Sequence, residues 1–589
     1  MDDTHSPTEM PGLALAGANG SAPSSLDPRR WAALVVILVA GFMDLLDVTI
    51  VNVAGPSILR DLHAGYAQCE WVISGYLLGF AALLITGGRL GDIFGRKRVF
   101  LFGVAGFTVA SALCGVAVNP GMLIGARFFE GAMAGLMVPQ ILAIMHVTFP
   151  RQERGKVFGI WGSVLGSASV AGVILGGVLV QWNLAGWQWR PIFLVNIPVG
   201  VAALAAAWFV VPESRSPAAL RLDLVGMVLA ITGVLLLVYP LTEGRTLGWP
   251  AWTFGLMAGS AVVMAVFVAY QRRRTRRVGS PLVVLSLFRA RSFTAGMVVW
   301  SIFFVAGGAF FLVWTLYMQL GLGWTPVHAG LTAVSFAVGA AAGAGLSVQV
   351  FTPRFGRSAL MAGALVNAAG FAGYAWLSSH YGPGIHSWQM LVPLAVAGFG
   401  FGLVAAALVD LILTGVPVRD AGSGSGVLST AQQAGMALGY ALVGVIFFSL
   451  LAGGSGYGVT AVTPALRGEL TAAAIPGPAQ IQIITGFRAC VHGRSAATDP
   501  TKVPASCQTR SAHRALPAAQ QRELQTLLTS ADKLANAHNF ARTFGATLWY
   551  AVGALVAVFL GLFALPRRVR TQDSDTGLPA AQPVPMQSA

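Results

Sequence analysis

Charge is what this chain has least of. Only 10% of its 589 residues are Asp, Glu, Lys or Arg, against 55% hydrophobic and a mean hydropathy of +0.70. A soluble globular chain carries about a quarter of its residues as charges, so this balance excludes one and leaves a polytopic membrane protein. Other absences narrow the choice. The polar, Ser-, Pro- and Gly-rich first thirty residues lack an apolar core followed by a small-residue cleavage site, so a disordered cytoplasmic tail is expected there rather than a signal peptide. No Gly-x-x-x-x-Gly-Lys-Ser/Thr loop occurs, so energy from ATP bound by this chain is not expected. No Cys-x-x-Cys or His cluster suggests a metal, and nothing suggests a cofactor or an enzyme.

What is there is membrane-length helix. Apolar stretches able to cross about 30 Å of hydrocarbon begin at Trp31, Glu70, Val99, Met122, Val157, Ile192, Leu224, Trp252, Phe293, Ala329, Ala359, Met390, Gly426 and Ala546. With the N-terminus in the cytoplasm, 24 Lys and Arg fall in segments that face it, and only Arg60, Arg190 and Arg245 in the six short outside loops. Short positive loops resist translocation, so both termini are expected inside. The long segment 452–545 carries nine more outside, where length exempts it from the rule. The formal charge of +15 is therefore mostly topology. "QRRRTRR", Gln271 to Arg277, reads as an anchor against anionic lipid; with no soluble domain beside it, nucleic acid is not an expected partner.

The loops hide a repeat. "GGRLGDIFGRKRVF" after the second stretch and "FTPRFGRSAL" after the tenth both end in aromatic-Gly-Arg on the cytoplasmic side. "RGKVFGIWGS" opens the fifth stretch and "AGSGSGVLST" the thirteenth, again eight apart. Six helices, two extra helices and six more are expected, in parallel halves of the kind that secondary transporters place around a midplane substrate site. The organisation expected is a tail 1–30, a six-helix bundle 31–211, two extra helices with a basic loop 212–292, a second bundle 293–565 containing the outside loop 452–545, and a tail 566–589.

"GRLGDIFGRKR" resembles the loop signature of the major facilitator superfamily. "LDVTIVNVAGP", Leu46 to Pro56, and "WRPIFLVNIPVG", Trp189 to Gly200, resemble its fourteen-helix drug:proton antiporter branch. The resemblance covers Trp31 to Leu451 plus the last stretch. It implies an all-α major facilitator fold in a bacterial cytoplasmic membrane, and proton-coupled export of hydrophobic, cationic or amphiphilic drugs or antibiotics. The implied partners are a small molecule, protons and the bilayer, and the implied state is a monomer. In the loop signature it implies a gate made by Gly88, Asp92, Gly95 and Arg96; Ile93 stands where the family often has arginine, and a loop that only sets topology is the alternative. In the fifth stretch "AGVILGG" resembles the antiporter signature, with Gly172, Gly176 and Gly177, although Val173 stands in place of proline. Glycines four apart along that stretch, from Gly155 to Gly176, equally read as sites of close helix packing.

Ionisable groups inside the stretches cost several kcal/mol and so demand a use. "RFFEGAMAG" resembles the family's Arg-x-x-Gln-Gly motif with Glu130 in place of glutamine, and Arg127 and Glu130, three apart, can pair on one helix. Asp44 and Asp47 are also three apart on the first helix, with Asp47 at about the depth of Arg127. Two like charges in a place without water disfavour double ionisation, so one of the pair is expected to carry a proton. The alternative, an aspartate that merely caps or pairs with Arg127, suits Asp44 better than Asp47, which alone matches the family's aspartate. Asp410, about 9 Å from the inner end of the twelfth stretch, could hold a cationic substrate or a proton.

Of the four cysteines, Cys69 and Cys114 read as small apolar residues, while Cys490 and Cys507, alone in the outside loop, are expected to form a disulfide. "RELQTLLTSADKL" in the same loop predicts a surface helix over the outer mouth. Arginine outnumbers lysine 33 to 4, which fits a GC-rich bacterial genome and resistance to a self-made antibiotic. Two rivals stay open: a transporter of lipid or of a pathway metabolite that ignores the proton gradient, and a non-transporting membrane scaffold.

Overall fold

A computed structural model describes residues 29–215, 221–413, 416, 421–500, 502–507 and 518–565, so the expected tails 1–30 and 566–589 lie almost wholly outside the described residues. Among the described residues fourteen helices are long and apolar enough to cross a membrane. The first six are α1 (Arg30–Asp61), α2 (Tyr66–Phe94), α3 (Arg96–Gly115), α4 (Pro120–Thr148), α5 (Arg151–Trp182) and α6 (Pro191–Val210). Two more follow, α7 (Leu224–Leu247) and α8 (Ala251–Val278). The second set is α9 (Arg291–Leu316), α10 (Pro326–Leu346), α11 (Arg357–Tyr381), α12 (Ser387–Leu413), α13 (Ala421–Gly453) and, after two helices outside the membrane, α16 (Ala518–Leu562).

Glycine sets the packing in each half. A Cβ on Gly79 or Gly87 of α2 would strike the backbone of α4 at Phe128 and Gly135, and one on Gly131 or Gly135 of α4 would strike Tyr76 and Phe80 of α2. The second half repeats this with α10 and α12. Gly339 and Gly343 meet Ala395 and Phe399, and Gly398 and Gly402 meet Phe336 and Ala340. Without a hydrophobic drive between helices in lipid, such backbone contact is what gives each pair its van der Waals energy.

Between the halves α2 packs on α13 and α5 on α10, and α7 lies against both α2 and α13. The α5–α10 seam is closed outside and parted inside. Gly177 rests on Pro326 and Val327, and Gly330 on Val173, whereas a Cβ on Gly159, Gly162 or Gly166 would meet nothing within 4 Å. The expectation of close packing along the whole glycine run of α5 is thus corrected, because its inner half faces the gap between the halves. The outer closure is bonded as well: Gln319 Nε2 donates to Val53 O at 2.8 Å, and Tyr440 OH to Asn52 Oδ1 at 3.0 Å.

The extra pair is pinned at its cytoplasmic end. Asp223 caps α7 through Gly226 N–H and also accepts from Gln271, Tyr270 and the Leu282 N–H, with Arg274 3.5 Å away. Burial pushes the Asp223 carboxyl up, but these donors outweigh it and hold it below its ordinary value. Arg89 of α2 reaches the carbonyls of Arg221 and Pro281, tying the pair to the first half.

Outside the membrane, α14 (Ser455–Ala472), α15 (Gly477–Ala496) and the start of α16 build a cap with its own core, including Val462, Leu466, Ile484, Phe487 and Leu524. Cys490 and Cys507 are bridged within it. The surface helix expected from "RELQTLLTSADKL" is present as the outer part of α16, which runs unbroken for 45 residues into the last span. That is roughly 68 Å at 1.5 Å per residue, more than twice the hydrocarbon thickness. No proline interrupts it, and Leu524, Ala531 and Ala535 of its outer part join the cap core while Leu534 stays exposed.

Candidate functional site

Three positions on a helix are 300° apart, so Asp44 and Asp47 leave α1 about 60° from one another. Packing turns this into two environments. Asp47 is fully buried, and its Oδ2 takes Arg127 Nη1 of α4 at 2.5 Å. The same nitrogen reaches Glu130 Oε2 at 2.7 Å. Asp44 is half-buried and accepts from Tyr76 OH of α2 at 2.5 Å. The expectation that Asp44 is the better partner for Arg127 is therefore corrected: α1 turns Asp47 toward α4, and Asp44 toward α2.

Residues that the sequence left without a role complete the cluster. Asn196 Nδ2 of α6 donates to Asp47 Oδ1 at 3.1 Å and contacts Ser111 Oγ of α3 at 2.9 Å. Cys114 Sγ lies 3.3 Å from Glu130 Oε2. Arg127 Nε donates to Val72 O, and the guanidinium sits 4.2 Å from the Tyr76 ring centre and 5.4 Å from that of Phe193. Asn196 lies within "WRPIFLVNIPVG", the one signal in the sequence that pointed at it.

The chemistry follows from the count. Two carboxylates share one guanidinium, with side-chain exposures of 0% and 1% around Asp47 and Arg127. Fully ionised, the cluster holds a net negative charge away from water, and one proton removes it. Arg127 can then favour either carboxylate.

The second half answers with aromatics. In its first, second, third and fourth helices Phe303, Phe310, Phe336, Phe371 and Phe401 form a contiguous group of rings with centroids 4.6–5.8 Å apart, three pairs stacked and Phe336–Phe401 tilted. Asn367 of α11 is buried beside them. Asp410 is exposed on the inner half of α12 and is not part of the cluster.

At the cytoplasmic loop Asp92 Oδ1 takes Arg96 Nη2 at 2.9 Å, within its own half rather than across the seam. Gly95 has φ +109°, a conformation that suits glycine, and Arg96 N–H donates to Ser214 O. Gly88 lies near Pro139. Of the α5 glycines, Gly172 and Gly176 seat α1 at Leu46, Thr49 and Ile50, and Gly177 seats α10.

A family model described as Major Facilitator Superfamily matches residues 37–237 and 216–440. Among curated proteins, a probable actinorhodin transporter of Streptomyces coelicolor is 39% identical over 545 residues, 92% of this chain and 93% of the relative. The tetracenomycin C resistance and export protein of Streptomyces glaucescens is 36% identical over 440 residues, 74% of this chain and 79% of the relative. Among solved structures, a bacterial homolog to the human lysosomal transporter Spinster, inward-facing and occupied, matches with TM-score 0.56 at 15% identity, over 91% of this chain and 97% of that one.

Proposed function

The chain belongs to the major facilitator superfamily, and from that premise we propose that it exports a hydrophobic, cationic or amphiphilic antibiotic from the cytoplasm in exchange for protons. The observation that carries this reading is the buried Asp47–Arg127–Glu130 cluster, an ionisable group of three inside a bundle otherwise built for lipid. The names of its relatives, exporters of or resistance factors against antibiotics, support the cargo class.

Protons reach the cluster when the outer side is open and neutralise its excess negative charge. The halves then close outside and part inside, the arrangement of the α5–α10 seam in this structure. Substrate enters between the polar first half and the aromatic second half, where hydrophobic and ring contacts favour an apolar, planar molecule. Its arrival and the departure of the proton favour one another, which couples the two flows. Asp410 meets a cation at the inner mouth, and the Gly88–Arg96 loop relatches when the inside closes.

Reconstituted vesicles with an imposed pH gradient test this. Uptake of antibiotics or dyes into inverted vesicles is expected to follow the gradient and to stop when it is collapsed. Transport that ignores the gradient would favour the uncoupled lipid or metabolite carrier, and binding without transport the scaffold.

A further inference from the structure

One buried acid takes no part in the cluster. Glu70 of α2 is 3% exposed, and its Oε2 has no hydrogen-bond partner among the described residues. It sits near the outer end of α2 at the seam with the second half, where α13 presents Gly444; a Cβ there would lie 2.1 Å from Glu70 Oε1. A side chain at position 444 would press on the carboxyl end of Glu70, so glycine there lets α13 lie directly against it.

The charges that face it do not neutralise it. α13 has no charged residue, and of the charged groups of α4, Arg127 is engaged with Asp47 and Glu130, and Glu130 with Arg127. From α7 come Glu243 and Arg245. Glu243 is a second acid, held by Trp71 Nε1 at 3.0 Å. Arg245 gives Nη2 to the cap carbonyls of Ala496 and Ala497, at 2.9 and 3.2 Å, and lies over the Phe448 ring. On its own helix Glu70 has only Cys69 and Tyr66 as titratable neighbours, both near-neutral groups at physiological pH.

We infer that Glu70 is a second proton-binding site, set in the outer seam, and that its proton must be on board before the outer side closes. An ionised carboxylate sealed there without a hydrogen-bond donor, with Glu243 near and Arg245 turned to the cap, would carry a large cost of desolvation. When α2 and α13 part, water reaches the group and it can ionise. Closure then requires a proton from the outside medium, so the site links outside acidity to the return toward the inward-facing state. The inference rests on the proton-coupled reading but concerns a step that needs no substrate.

Spin labels on Leu184 and Tyr381, exposed outer positions of the two halves, report the closure by their separation, in detergent or nanodiscs without drug or gradient. Wild type is expected to be closed at acid pH and to shift toward the open form as pH rises, by up to about tenfold in the open-to-closed ratio per pH unit. Glu70→Gln, which mimics the protonated group, is expected to stay closed throughout, and Glu70→Asp to restore the response. A Glu70→Gln protein with the wild-type pH response overturns the inference, as does a wild type with no response. If vesicle export proves independent of the gradient while Glu70→Gln still abolishes the response, the seam site stands and the antiport reading falls. If export is proton-driven and Glu70→Gln responds as wild type does, the reverse holds.

Discussion

Arg127 holds Asp47 and Glu130 through one and the same nitrogen, at 2.5 and 2.7 Å, with all three side chains shut off from solvent. That nitrogen carries two N–H groups, so both bonds are made at once and both acids depend on one cation. Loss of charge on either carboxylate leaves the guanidinium to the other, and the helices that carry the two acids, α1 and α4, then share a changed contact.

Replacing Asp47 by Asn keeps the size of the group and its bond from Asn196 but ends its ability to take a proton. Gradient-driven accumulation is expected to fall to that of protein-free vesicles, while expression and exchange of labelled substrate persist. Asp44→Asn is expected only to weaken export, because Asp44 bonds to Tyr76 outside the Arg127 contact. An Asp47→Asn protein that concentrates substrate as wild type does would move the proton to Glu130 or Asp410.

Arg127→Ala leaves two buried carboxyls with no cation and is expected to cost about 3–5 kcal/mol. Arg127→Lys keeps the charge but loses the fork that reaches Asp47, Glu130 and Val72 O together, so it is expected to fold and to transport slowly. Thermal melting with vesicle transport separates the two effects. Equal, near-wild-type behaviour of both variants would make the arginine dispensable.

Opening the Cys490–Cys507 bridge, between cysteines 17 positions apart, frees the connection between them and is expected to cost the cap about 3 kcal/mol. The bundle meets this connection through Arg245 at Ala496 and Ala497 and through Tyr66 at Thr498, few bonds beside its own helix packing, and is expected to stay folded. Limited proteolysis within residues 496–507, with and without reductant, reads the loosening. Two free thiols in the non-reduced protein by mass spectrometry would refute the bridge.

Asp223 is held below its ordinary value near 3.8, so its stabilising bonds are intact above that pH and are lost as pH falls through the lower folded-state value. At neutral pH Asp223→Asn is expected to melt earlier than wild type, since it loses charge-assisted bonds worth about 1.5–3 kcal/mol each. The gap between the two proteins should narrow below about pH 3.8 and close once the wild-type carboxyl is protonated. A gap that is constant from neutral to strongly acid pH would show that the ionised form is not what binds α7 to α8.

The number of spans, their orientation and the family were legible in the sequence because each rests on a one-dimensional property: apolar length against bilayer thickness, the sidedness of Lys and Arg, and the order of short motifs. Arg127 and Glu130 could be paired from spacing alone. A helix that is apolar on nearly every side, as α1 is, carries little record of which way it faces. Only packing against α2, α4 and α6 turned Asp47 to Arg127 and Asn196, and Asp44 to Tyr76. Glu70, which reads in sequence as the polar start of an apolar stretch, became a buried acid because α13 packs over it across the seam, with Gly444 against its carboxyl. The cap on the outer face was decided in the same way: a loop of mixed composition gained a core only when three of its helices met, and one of those helices was the last span itself.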